Sequence, residues 1–139
     1  MNYLIEHYGI KKGDKVSRLK RGVFFIRHYA VYLGTDIQGK HLFAENNLEK
    51  GVQIITSDEF FHDSNAIKVE STSKDILQRE KSVNFALGKV GKKYDLINYN
   101  CEHFANEVTK GTAISTQVSW GIGLTFLVIG GVLVKNFKN

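Results

Sequence analysis

The chain has 139 residues, 42% hydrophobic and 24% charged, enough for one domain with one core and too ordinary in composition for a disordered or fibrous protein. A single cysteine excludes an internal disulfide and fits a reducing compartment, and with no proline the turns must be marked by Gly, Asn and Asp. The net charge of +5 is uneven: Lys11, Lys12, Lys15, Arg18, Lys20, Arg21 and Arg27 face only Asp14 between residues 11 and 28. Such a segment is either a solvated rim or a face for anions, and without aromatics interleaved on a basic strand no nucleic-acid partner is expected.

In chain order, residues 1–12 form a mixed lead-in, without the apolar stretch of a secretory signal, that ends at the Lys12-Gly13-Asp14 turn. A strand is expected near Val16–Leu19. The run Gly22–Gly34, dense in β-branched and aromatic residues, predicts a second. The turn cluster Thr35–Lys40 leads to a returning strand at His41–Ala44. Asn46, Asn47 and Gly51 mark the next turn, and Val52–Thr56 a further strand. Ser57 is expected to open a short helix, without a full capping box. Ala66–Glu70 alternates as a strand, and Ser73 is read as the N-cap of a helix over about residues 74–89. A last helix is predicted over 101–110, with Asn100 as its cap. The pattern is α+β: a small antiparallel sheet packed against helices.

From Val118 to Val134 there are seventeen residues without a charge, four of them glycine, with Trp120 at one end and Lys135 and Lys138 beyond the other. As a helix this run spans about 26 Å, near the lower limit for a bilayer core. It predicts a C-terminal transmembrane helix, dividing the chain into a domain at 1–112 and a membrane anchor at 113–139. The protein is then expected in a membrane, single-pass, with the domain facing the cytosol.

The chemistry centres on Cys101. Placed in the first turn of a helix, its thiol meets the positive end of the helix dipole, which favours the nucleophilic thiolate. A thiol nucleophile needs a base, and the base a third group to orient it. His28 and His41, on neighbouring antiparallel strands, can lie on one face above the cysteine. His103 points away from Cys101 on the same helix and reads as structural. A zinc site from His28, His41, Cys101 and His103 lacks convergent spacing, so neither metal nor cofactor is expected.

The segments His28-Tyr29-Ala30-Val31-Tyr32-Leu33-Gly34, His41 and Asn100-Cys101-Glu102-His103-Phe104 resemble the lecithin:retinol acyltransferase-like (LRAT-like) domain. So does the lead-in Gly91–Ile97. That group of small phospholipases and acyltransferases belongs to the permuted NlpC-type, papain-like thiol clan, and the likeness covers about residues 13–110. The resemblance implies that Cys101 accepts a fatty acyl group from a glycerophospholipid. His28 would be its base and later acid, and His41 would orient His28. The thioester would then pass to water or to an amine or alcohol. It implies a phospholipid substrate and a membrane partner, and leaves the oligomeric state open. Two other readings stand beside it: a cysteine peptidase or amidase of the same clan, and a membrane-tethered interaction protein that is not an enzyme.

Overall fold

A computed structural model describes residues 2–20, 23–62, 66–70 and 73–121. The elements, in order, are α1 (Asn2–His7), β1 (Lys15–Lys20), β2 (Val23–Thr35), β3 (His41–Asn47), β4 (Gly51–Thr56), α2 (Ser57–Phe61), β5 (Lys68–Glu70), α3 (Ile76–Gly88) and α4 (Cys101–Lys110). The strands form one antiparallel sheet in the order β4-β3-β2-β1-β5, so β2 lies at its centre.

Being central, β2 is covered on both faces, which explains its nearly unbroken apolar sequence. Tyr29, Val31 and Leu33 face one side and meet Val83 and Ala86 of α3 and Phe104, Ala105 and Val108 of α4. Ala30 and Tyr32 face the other and join Val16, Phe43, Phe60 and Phe61 with Ile5 and Ile10. There Phe43 stacks on Phe60 at 4.7 Å between ring centroids and meets Phe61 edge-on at 5.4 Å. Emptying a fully buried phenylalanine site such as Phe43 or Phe60 costs about 3–5 kcal/mol.

The strands and α4 stand close to where the sequence puts them, and three local differences have clear causes. The lead-in contains a short helix, α1, anchored by the buried Ile5. The cap of α2 is Thr56, one residue before the expected Ser57, and with Glu59 it completes a reciprocal capping box. Helix α3 begins at Ile76 because the Asp75 carboxylate caps Leu77 N–H, while Ser73 Oγ accepts from Asp75 N–H just outside the helix.

Much of the basic segment works inside the fold. Lys15, 3% exposed, bonds Asn106 Oδ1 on α4 and Glu70 on β5. Burial pushes its ammonium pKa down, with Glu70 opposing. Arg27 donates to Ser17 Oγ and to two carbonyls, and Lys12 pairs with Glu80.

The expected transmembrane helix and the single-pass, cytosol-facing location need correction. Among the described residues no helix is long and apolar enough to cross a membrane. Residues 122–134 of the apolar run lie outside the described residues. Its upstream end is bound to the domain: Gln117, just before the run, hydrogen-bonds to β2 and α4, and Ser119 Oγ turns back to the Ser115 carbonyl. Counting charges over the run passed over this polar anchorage.

Candidate active site

Helix α4 begins at the cysteine because Asn100 stops the chain in an extended conformation and accepts hydrogen bonds from Glu102 N–H (2.9 Å) and His103 N–H (3.1 Å). His103 Nδ1 returns the favour by accepting from Asn100 N–H at 3.3 Å. This closes a capping box and gives His103 a structural part, as its direction on the helix suggests. An asparagine cap is worth about 1 kcal/mol. Here it also fixes where Cys101 stands.

The strand opposite supplies a matching gap. Pairing between β2 and β3 ends at Ala30 with Glu45, so the β3-side edge of β2 is unpaired from Tyr29 towards Arg27. The thiol takes part of that edge. Tyr29 N–H hydrogen-bonds to Cys101, and the Sγ lies 4.0 Å from the Arg27 carbonyl oxygen.

His28 comes from the same stretch of strand. Its ring hydrogen-bonds with the Cys101 thiol, and its Nε2–H donates to Glu45 Oε2 at 2.6 Å. With Nε2 occupied by the carboxylate, Nδ1 is the nitrogen left for sulfur. The other Glu45 oxygen accepts from Gln53 Nε2 at 2.8 Å. The His28 and Glu45 side chains are only 12% and 6% exposed, so little water screens them. Arg18, across the ladder from His28, adds its charge near Glu45 and lies over the Phe60 ring.

The electrostatics follow from these contacts. Burial alone would discharge His28, but its bonds and charge attraction to Cys101 and Glu45 outweigh burial and raise its pKa from 6.5 to about 9. Burial would likewise keep the thiol protonated, yet His28, the Tyr29 N–H and the Lys20 charge bring the Cys101 pKa below the ordinary value. Burial pushes Glu45 up, while His28, Gln53 and Arg18 win and hold it below the usual carboxylate range. Burial raises the Tyr29 phenol to about 12, and Tyr94 is raised by burial and by the sulfur charge. A thiol, an imidazole and a carboxylate so arranged can hold a thiolate–imidazolium pair, attack a carbonyl carbon and return a proton to the leaving group.

The family model for permuted papain-like amidase enzymes of the YaeF/YiiX, C92 family matches residues 14–109. The chain belongs to that family. No curated protein matches it. The likeness read from His28–Gly34 and Asn100–Phe104 therefore holds at the level of the permuted papain-like clan.

In this member of the family the expected residues are not all together. Cys101 and His28 meet. His41 does not meet His28: its Nδ1 hydrogen-bonds to the Tyr32 hydroxyl, and the two rings stack at 5.8 Å. Tyr32 is four residues along β2 from His28, roughly 13 Å of strand. The partner at His28 Nε2 is Glu45, which the sequence reading left out. Its signal was a carboxylate directly after the apolar run Leu42-Phe43-Ala44, because a charge carried into the core beside that run requires a partner.

Proposed function

We propose that the protein is a cysteine-dependent amidase in which Cys101 is the nucleophile, His28 the acid and base, and Glu45 the group that orients His28. The observation that carries this reading is the buried series Cys101, His28 and Glu45, in which the His28 ring interacts with the thiol and bonds the Glu45 carboxylate at 2.6 Å. The family it belongs to, described as amidases, supports the reaction class.

The steps balance without a cofactor. The Cys101 thiolate adds to the amide carbonyl carbon, forming a C–S bond, and the carbonyl electrons move to oxygen. As the tetrahedral intermediate collapses, the C–N bond breaks and the His28 imidazolium gives its proton to the departing amine. Neutral His28 then takes a proton from water, whose oxygen attacks the thioester. The C–S bond breaks, the carboxylic acid leaves, and the thiolate–imidazolium pair is restored. Glu45 keeps its carboxylate form throughout and holds the ring so that Nδ1 faces sulfur.

A second reading keeps Cys101 and His28 in these roles and takes the acyl group from a glycerophospholipid, as in the LRAT-like domain. It is favoured by one feature, the apolar side chains standing in solvent beside the reactive segments. Phe25 (82% exposed) precedes Arg27 on β2, Leu96 and Ile97 precede α4, and Ile114 and Trp120 follow it. A rim of this kind suits a long acyl chain. The choice is tested by incubating the wild type and Cys101→Ala with acyl p-nitroanilides of increasing chain length and with phosphatidylcholine vesicles. Cys101-dependent release of nitroaniline is the expected result. Lysophospholipid from vesicles with no anilide turnover selects the second reading. Equal turnover by Cys101→Ala rejects both.

A further inference from the structure

The chain beyond α4 makes a return path that ends on the catalytic strand. Gly111, in a left-handed conformation (φ 73°), stops the helix. The segment then runs back alongside it: Asn106 Nδ2 donates to the Ile114 carbonyl at 2.6 Å, and Ser115 Oγ donates to Glu102 Oε2 at 2.8 Å. Gln117 N–H donates to the same carboxylate oxygen at 3.0 Å. Ser115 and Glu102 are 2% and 4% exposed, and Ser115 Oγ also accepts from the cap residue Asn100. Glu102, through Ser115 and Gln117, therefore binds the segment to the first turn of α4, where Cys101 sits.

The side chain of Gln117 reaches the other partner. Its Oε1 accepts from Arg27 N–H at 2.8 Å, and its Nε2 donates to the Arg27 carbonyl at 3.2 Å. A side-chain amide thus pairs with one residue of β2 as a neighbouring strand would, on the same edge that β3 leaves open and that the thiol occupies. This edge pairing comes from beyond residue 109, where the family match ends.

We propose that Gln117 is a positioning residue for the Cys101–His28 pair: its amide completes the open edge of β2 while its backbone holds the cysteine helix through Glu102. Two consequences follow. The distance between α4 and β2 is set by a short covalent link rather than by apolar packing alone. Further, the Arg27 carbonyl, to which the thiol makes a long contact of 4.0 Å, is shared with Gln117 Nε2 at 3.2 Å, which weakens its hold on the S–H proton. A carbonyl oxygen released from that bond favours the thiol over the thiolate.

The groups whose charge bears on the sulfur are His28 on β2, backed by Glu45 on β3, and Lys20 on β1, with the phenols of Tyr29 and Tyr94 near it. Glu102 on α4 binds the return segment. Gln117 is neutral. Its removal changes geometry and hydrogen bonding without removing a charge.

The proposal rests on Cys101 being the nucleophile, but its test reads the thiol directly and needs no substrate. The rate of iodoacetamide alkylation of the full chain is measured from pH 4 to 10 for wild type, Gln117→Met and Gln117→Glu, with thermal melting of each as a check on folding. Gln117→Met keeps the bulk and loses both bonds; Gln117→Glu keeps the acceptor for Arg27 N–H and loses the donor. The expected result is an upward shift of the alkylation midpoint in both, with neutral-pH alkylation slowed up to about tenfold in Gln117→Met, the value of one or two hydrogen bonds; Gln117→Glu also adds a negative charge near the thiolate, which raises its midpoint further. Midpoints and rates equal to wild type in either folded variant overturn the proposal. A variant that melts before assay at room temperature also overturns it, since Gln117 would then support the fold at large rather than the pair. Absence of amide turnover by the wild type would sink the proposed activity and leave the alkylation result standing.

Discussion

Replacing Glu45 by Gln removes one charge and preserves shape, so it isolates what the carboxylate does for His28. In the wild type Glu45 accepts from His28 Nε2–H through one oxygen and from Gln53 Nε2 through the other. A glutamine can present its oxygen to only one of them, and its amide nitrogen must then face a donor. A hydrogen bond to a charged group contributes about 1.5–3 kcal/mol net, and at 1.36 kcal/mol per tenfold this corresponds to a loss of roughly 10- to 150-fold. The loss belongs mainly in kcat, because the imidazolium that Glu45 stabilises forms the reactive pair. Alkylation against pH gives an independent reading. With His28 raised to about 9 and Cys101 lowered, the wild-type pair persists between the lowered thiol value and about pH 9. Glu45→Gln narrows that window from its alkaline side. The assay is kcat/KM for amide hydrolysis together with the alkylation profile, for Glu45→Gln and His41→Ala side by side. If Glu45→Gln stays within twofold of wild type in both while His41→Ala collapses, the assignment of Glu45 is wrong.

Three further outcomes are expected. The pH dependence of stability should carry the signature of the pair. A raised His28 contributes stability that is present below its unfolded value of 6.5 and lost as pH rises through about 9, whereas a lowered Cys101 contributes stability present above its unfolded value and lost as pH falls through its folded one. In the wild type the pair only moves a proton from sulfur to nitrogen, so urea midpoints should be nearly flat from about pH 7 to 8.5. A wild-type midpoint that changes steeply across that interval contradicts the linkage. Gly51→Ala should cost about 1–3 kcal/mol, because the residue has φ 71° and a Cβ would lie 2.4 Å from the Lys92 carbonyl oxygen; a melting temperature lowered by roughly 5–15 °C is the expected reading, and an unchanged one refutes the close approach. Asn100→Ala should lower stability by about 0.5–2 kcal/mol through loss of the cap and raise the alkylation midpoint, since Cys101 loses its fixed place; denaturant titration with alkylation separates the two effects.

What the sequence disclosed and what it hid have different physical origins. Cys101 and its helix were legible because an N-cap is local: Asn100 acts on the N–H groups two and three residues ahead. The strand carrying His28 was legible from its β-branched and aromatic density. The partner of His28 was not, because it depends on register. Before the irregularity at Tyr32 and Gly34, β2 and β3 pair as Ala30 with Glu45 and Tyr32 with Phe43; after it, Thr35 pairs with His41. The same register extended one step sets Glu45 diagonally from His28 and leaves His41 beside Tyr32. Pattern alone does not fix such an offset. The tail misled for another reason. Its apolar count was correct, but the polar side chains of Ser115 and Gln117 just ahead of it tie the chain to the domain where the run begins.

The central claim is that a thiolate at Cys101, paired with His28, takes the acyl group. It is tested most directly by intact-protein mass spectrometry after brief mixing with an acyl p-nitroanilide and quenching in acid. The account predicts a mass increase of one acyl group on the wild type, discharged by hydroxylamine, absent from Cys101→Ala and accumulating more slowly in His28→Ala. Nitroaniline release at the wild-type rate from Cys101→Ala, with no acyl adduct on either protein, would contradict it.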